Sequence, residues 1–447
     1  MPDAPRKGSL LVIFLTVFID LLGFGIVLPL LPLYGRHFAA EHDLSPDEIG
    51  WVLGLLMSSF SAMQFLCAPL WGRLSDRFGR RPILMVGLAA STTFYAMFGL
   101  AAAWHSLAGL FVARIGAGIA GATISTAQAY IADTTSKENR AKGMALIGAA
   151  FALGFTLGPL IGAAALLAGN QVSLSPWPGY VASGLSGIAL LLAIFMLPES
   201  RQPGSEAAQG GFFDRRALQS ALSTPSIFLL LITSFVAVFS FANFESTLSL
   251  QIAAVVGQAA EGERSASLLR SVIAAIHGWG YKELDDVVQI VAFATFAYLG
   301  IVLTLAQGVL VRRLAGKVSE GAMATFGVVL AIGGFALLAR AAMRGDFTLL
   351  LCAMAVEVVG FAFVNPSLQS LISRRSDPRQ QGGVLGLGQS ATSLARILGP
   401  VCGMRLFEES HALPYWAAVA VLSVALVMVV VAARGGNDYP APGCTNA

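Results

Sequence analysis

Asp20, Arg114, Glu245, Glu357 and Arg396 interrupt long apolar stretches of this 447-residue chain. A charge in such surroundings costs several kcal/mol unless it is paired or faces a wet cavity, so its default reading is functional. The chemistry these types allow is proton uptake and release. Burial favours the neutral form of a carboxyl and a nearby guanidinium favours the charged form, so movement of one relative to the other switches protonation. Asp20 with Arg114 is the first candidate pair for proton coupling. Glu245 and Glu357 are candidates for a second proton site, or for attracting a cationic ligand. Fixed ion pairs joining helices are the alternative for all five residues.

The elements that must hold these residues follow from length and apolarity. A membrane span needs about 20 mostly apolar residues. Twelve such runs occur, at 10–34, 48–71, 83–103, 107–132, 143–168 and 178–197, then 225–253, 287–311, 321–341, 347–372, 384–406 and 413–433. Lipid offers the backbone no partners, so each run must be a helix. A rise of ~1.5 Å per residue across a core of ~30 Å puts Asp20, Glu357 and Arg396 within roughly 5 Å of the midplane, Arg114 somewhat outward and Glu245 nearer the outer surface. The first run is too long for a cleavable signal and lacks a small-residue cleavage site.

Composition agrees. Apolar residues make up 56% and charged residues 12%, against about 25% charged in soluble domains. Such a chain cannot cover a water-facing surface. No basic tract with interleaved aromatics points to nucleic acid. If the N-terminus is cytoplasmic, most of the 28 Lys and Arg fall in loops on that side, as the positive-inside rule requires. An even number of spans returns the C-terminus to the same side.

Residues 198–224, rich in Pro, Gly, Gln and mixed charges, read as a solvated linker. They separate an amino-terminal six-helix bundle (1–197) from a carboxy-terminal one (225–447). The halves repeat weakly: Gly158-Pro159-Leu160-Ile161-Gly162 recurs as Gly399-Pro400-Val401-Cys402-Gly403, Asp20 has a counterpart in Glu245, and Arg114 has one in Glu357. Two similar halves around a midplane site is a transporter plan. The external loop 257–286, with Trp279 and Tyr281, is either a lid or an interfacial anchor; the aromatic belt makes the anchor the simpler reading.

Helical spacing then gathers polar residues. Arg114, Gly118, Gly121, Ser125 and Gln128 share a face at steps of three and four, as do Gln389, Ser393, Arg396 and Pro400. Gly118, Ser125, Gln128, Gln389, Ser393 and Arg396 are therefore candidate cavity residues. Between the second and third spans runs Gly72-Arg73-Leu74-Ser75-Asp76-Arg77-Phe78-Gly79-Arg80-Arg81. Glycine-bearing turns let helix ends approach, and Asp133, on the same side, is within reach of Arg80. Gly72, Asp76, Arg77, Gly79, Arg80 and Asp133 are a candidate cytoplasmic gate; a bare topology signal would need neither the Asp nor the glycines. In the fifth span Gly154, Gly158 and Gly162 repeat at steps of four for close helix contact, and Pro159 removes a backbone donor. This span could seal the outer end of a cavity.

These motifs resemble the major facilitator superfamily. The 72–81 loop fits the signature G-x-x-x-D-R-x-G-R-R. Arg114 to Gly118 with Gly121 looks like the fourth-span motif of proton-coupled members, and 154–162 is similar to the antiporter motif associated with export. Phe18 to Gly25 with Pro29 resembles tetracycline-resistance-type drug:proton antiporters. The second-half copy of the loop, 308–317, keeps Arg312 and Arg313 but has no Asp, and the third span carries no acid where tetracycline exporters can have one. The resemblance implies an all-α polytopic transporter of twelve helices in two pseudo-symmetric bundles. It also implies export of amphiphilic or cationic organic compounds in exchange for protons, by a monomer. The expected location is a bacterial inner membrane, with a eukaryotic organelle as the other reading. A proton-coupled metabolite exporter and a non-transporting receptor or scaffold are the other readings. No cofactor, nucleotide-binding loop, nucleophile elbow or zinc-type His cluster is legible, and Cys67, Cys352, Cys402 and Cys444 imply no disulfide framework.

Overall fold

A computed structural model describes residues 7–135, 140–168, 172–200, 223–260, 267–376 and 381–435. Regular structure there is helical, with no strand among the described residues. The amino half holds α1 (Lys7–Val27), α2 (Leu31–Ala40), α3 (Pro46–Phe78), α4 (Arg80–Ala103), α5 (Leu107–Gly121), α6 (Ile124–Thr134), α7 (Arg140–Leu167) and α8 (Trp177–Met196). The carboxy half holds α9 (Pro225–Ala260), α10 (Ser267–Gly278), α11 (Leu284–Leu305), α12 (Glu320–Arg344), α13 (Phe347–Arg375), α14 (Gln381–Glu409) and α15 (Leu413–Gly435). Most of the 198–224 stretch lies outside the described residues.

Eleven helical segments are long and apolar enough to cross a membrane. The twelfth is α14, whose length suffices at ~1.5 Å per residue but whose Gln389, Thr392, Ser393, Arg396 and Arg405 lower its hydropathy. Large apolar side chains such as Leu55, Leu66, Leu70, Phe195 and Val427 stand exposed on the outside. That surface fits lipid, and the chain is an integral membrane protein of twelve spans in two bundles.

Helix ends follow local chemistry. Ser45 opens α3 with a reciprocal capping box to Glu48, and Pro46 sits in the first turn, where its missing N–H is not needed. Asp346 caps α13 by accepting from Leu349 N. Two spans depart from the single helices expected. Pro29 and Pro32 break the first span after Val27, and the chain resumes as α2, whose Tyr34 and Phe38 are fully buried. The fourth span breaks at Ala122–Thr123, where the Thr123 hydroxyl donates to Ala120 O at 2.9 Å and competes with the helical ladder. After Leu305 the eighth span passes through a π-helical turn, Ala306–Val311. In the segment between the seventh and eighth spans, α10 lies on its own half, against α9 and α13, with Leu269 and Ile276 buried and Trp279 exposed.

The halves meet along two seams, α3 with α14 and α7 with α11, and where α2 touches α9. Their polar contacts gather at one end, called here the sealed end. Arg36 Nη2 donates to Glu408 Oε2 at 3.2 Å, Arg405 Nη1 reaches Asp47 Oδ1 at 3.1 Å, and the Ser249 hydroxyl donates to Pro29 O at 2.8 Å. Deeper in, the Ser58 hydroxyl donates to Ile397 O at 2.5 Å, and Thr156 meets Thr304 at 3.0 Å. Glycine makes the approach possible. A Cβ on Gly54 would sit 2.8 Å from Val401 Cα, and one on Gly300 would sit 2.6 Å from Thr156 Cα. At the opposite end, bearing the 72–81 loop, a Cβ on Gly72, Gly148, Gly308 or Gly386 would meet nothing within 4 Å. The halves are thus zipped at one end and apart at the other.

Candidate functional site

Above the gap at the loop-bearing end, a cavity of about 300 Å³ lies between the halves. Asp20, Arg114, Glu245 and Arg396 border it, among Phe24, Phe60, Phe155, Phe241 and Phe361. Phe241 and Phe361 stack at 4.1 Å between centroids. The cavity wall thus offers aromatic ring faces and four charged groups together.

Asp20 is half-buried on α1. The Ser186 hydroxyl of α8 donates to its Oδ1 at 3.1 Å, and Ser91 of α4 also hydrogen-bonds it. No ion pair joins it to Arg114. Tyr95, on α4, stands within electrostatic reach of both, and its ring packs so closely on α1 that a Cβ on Gly23 would come within 2.7 Å. Asp20 and Arg114 are therefore not ion-paired in this conformation. The two share a cavity with a phenol as common neighbour.

Arg114 is buried, and its Nε has no acceptor. The guanidinium lies over Phe60 at 4.6 Å and Phe24 at 5.8 Å from the ring centroids, where the ring quadrupoles stabilise a cation without neutralising it. Glu245 lies within electrostatic reach of Arg396 first and Arg114 second, and its Oε1 is buried without a partner. Because α9 runs on to Ala260, Glu245 sits near the middle of its helix. Glu357 is 1% exposed and does not border the cavity. It packs between α13 and α12, where a Cβ on Gly334 would press on its backbone, and its Oε2 lacks a partner.

Of the six cavity candidates only Arg396 borders the cavity. Gly118 packs against the Phe60 backbone and the Met63 side chain, Ser125 donates to Ala122 O at 2.9 Å, and Gln128 is exposed elsewhere. Gln389 and Ser393 do not border the cavity, and the Ser393 hydroxyl donates to Gln389 O at 2.9 Å. Sequence reasoning missed Ser61, Gln64, Ser91, Gln307 and Ser186. No local sequence pattern marks them; Gln307 is singled out only by the π-helical turn that holds it, a feature that recurs at functional sites.

The loop cluster assembles around Arg80. Its Nη1 reaches Asp76 Oδ1 at 2.6 Å, and its Nε donates to Asp133 Oδ2 at 3.0 Å. Gly79 takes φ +101°, and a Cβ there would strike the Glu199 carboxylate, which accepts from the backbone N–H of Arg80 and Arg81. Arg77 stacks over Phe78 at 5.3 Å. Gly72 lies in open space within α3 rather than in a tight contact. On α7, Gly154 and Gly158 face α1, where a Cβ on Gly158 would stand 2.7 Å from Gly25 Cα; Gly162 faces Phe293 of α11 instead, and Pro159 stays within the helix.

The family model for the Major Facilitator Superfamily matches residues 13–400. The chain belongs to the major facilitator superfamily. Its similarity to the class C tetracycline resistance protein of Escherichia coli is 30% identity over 404 residues, 90% of this chain and 91% of that one. It is 28% identical to multidrug resistance protein 2 of Bacillus subtilis (strain 168) over 443 residues, 98% of each. The crystal structure of the human organic anion transporter MFSD10 superposes with TM-score 0.65 at 25% identity, covering 96% of this chain and all of that one. Members of this superfamily carry small molecules across membranes, so the cavity between the halves is that of a small-molecule transporter.

Proposed function

We propose that this protein exports amphiphilic, aromatic organic molecules in exchange for protons, by rocking its two six-helix halves about the central cavity. The loop-bearing end faces the cytoplasm, as charge placement requires, so the described conformation is inward-open. One observation carries the reading: Asp20 borders the cavity on hydroxyl hydrogen bonds, with no cation in ion-pair distance. A carboxyl so placed can take up a proton without first breaking a salt bridge. The tetracycline and multidrug relatives support drug export. In this reading residues 1–197 and 225–447 are the rocking bodies, 198–224 tethers them, the Asp76–Arg80–Asp133 cluster is the cytoplasmic gate, and the monomer is the working unit in a bacterial inner membrane.

Arg114 favours a second reading of the substrate. A buried cation without a hydrogen-bonded acceptor, with Arg396 in the same cavity, suits a carboxylate or other organic anion better than a cationic drug. Proteoliposomes reporting lumenal pH distinguish the two. A cationic dye, a tetracycline-like zwitterion and an aromatic carboxylate would be added in turn. Substrate-triggered proton movement with any of them supports coupled transport, and the responding charge class decides between the readings. Silence for all three would point to a narrow metabolite carrier or a non-transporting relative.

A further inference from the structure

Beyond the central cavity, the sealed end gathers three metal-ligating side chains from two separate segments. His37 and Glu41 lie one turn apart at the end of α2, and His105 follows α4 in the turn before α5. His37 Nε2 and His105 Nδ1 each approach the same oxygen, Glu41 Oε1, at 3.4 Å. Their donor atoms all lie within 4.8 Å of one another, and all three residues are exposed.

The distances are informative. Both exceed the 2.7–3.2 Å range of N–H···O hydrogen bonds. They match the edge of a tetrahedron whose metal–ligand bonds are about 2.0–2.2 Å, roughly 3.3–3.5 Å. Two protonated imidazoles converging on one carboxylate oxygen would repel each other, whereas neutral imidazoles can share a central cation. The orientation is also built in. His105 holds φ +50°, a region a non-glycine residue rarely adopts. Its ring stacks at 5.4 Å on Phe38, which is fully buried and also meets the His37 ring edge-on at 6.1 Å. Phe38 is therefore a rigid floor on which both imidazoles rest.

We propose that His37, Glu41 and His105 form a divalent transition-metal site at the sealed end, with Zn²⁺ as the cation that fits best. Two imidazoles and one carboxylate select zinc, cobalt or nickel over magnesium or calcium, and water or a ligand completes the fourth position. A metal here would tie α2 to the turn after α4.

Calorimetry on tag-free full-length protein in detergent, titrated with Zn²⁺, tests the site, with Co²⁺ as an optical probe. The expected result is one Zn²⁺ per chain at micromolar or lower Kd, and intense visible absorption of tetrahedral Co²⁺. The His37→Ala/His105→Ala variant should weaken binding at least tenfold and lose the absorption. Glu41→Gln should shift the cobalt spectrum, and His42→Ala, whose ring bonds Phe38 O instead, should change nothing. No stoichiometric zinc, equal affinity in the double variant, or loss on His42→Ala would each overturn the proposal.

Discussion

Replacing Gly300, which does not itself line the cavity, with alanine should shift the balance between inward-open and outward-open states. The added Cβ would meet Thr156 Cα at 2.6 Å, Phe155 O at 2.7 Å and Thr156 N at 2.8 Å. These are backbone atoms of the opposite half and cannot swing away. Ordinary carbon contacts lie at about 3.5–4.0 Å, so the α7–α11 seam must open by about 1 Å. Overpacking of this kind costs about 1–3 kcal/mol. Alanine also favours the helix over glycine by about 1 kcal/mol, but that gain applies in both states and cancels. Only the sealed state carries the clash, because the seam parts when the halves rock. The outward:inward ratio should therefore rise roughly 5- to 150-fold, the equivalent of 1–3 kcal/mol. Spin labels at Asp47→Cys and Arg405→Cys, in a background free of other cysteines, read that ratio from their distance distribution. Gly333→Ala, where the Cβ meets nothing within 4 Å, is the control. An unchanged ratio in folded Gly300→Ala protein, or an equal change in the control, would refute the rocking seam.

Gly54→Ala, on the other seam, should shift the same ratio in the same direction through Val401. Gly148→Leu should do the reverse: inward-open protein should show its normal thermal stability, while turnover in proteoliposomes falls at least tenfold because the loop-bearing ends cannot close. Asp133→Asn removes one of two carboxylates on Arg80, a partly exposed pair worth about 1 kcal/mol or less, so Tm should fall by only a few degrees while transport slows by more than that loss accounts for. Arg114→Met keeps the volume near Phe24 and Phe60 but removes the cation; tryptophan-quenching titrations should show anionic substrates losing at least tenfold in affinity and cationic ones losing none.

Much of the fold was legible because lipid leaves the backbone few options. Long apolar runs had to be helices. Arg80 meeting Asp133 was also readable, since the third span begins and the fourth ends on one side of the bundle. What escaped depended on interruptions and on distant partners. The Pro29–Pro32 break turned the tail of the first span into α2. Ser125 turns to Ala122 O and Ala68 O, partners that periodicity does not show. The seventh span's window stopped short of the end of α9 at Ala260. Asp20 and Arg114 were found as buried charges, but Ser91, Tyr95 and Ser186 sit between or beside them from helices that no local pattern connects. His105 likewise has no spacing signature with His37 and Glu41, because only the packing of α2 against the turn after α4 joins them.

If Asp20 carries the coupled proton, its neutralisation should separate binding from coupling. Wild type and Asp20→Asn would be reconstituted side by side and assayed for substrate counterflow without a pH gradient and for uphill accumulation with one. Asp20→Asn should retain counterflow within a few-fold and lose gradient-driven accumulation and substrate-triggered proton movement. Accumulation by Asp20→Asn with unchanged proton coupling would contradict that assignment.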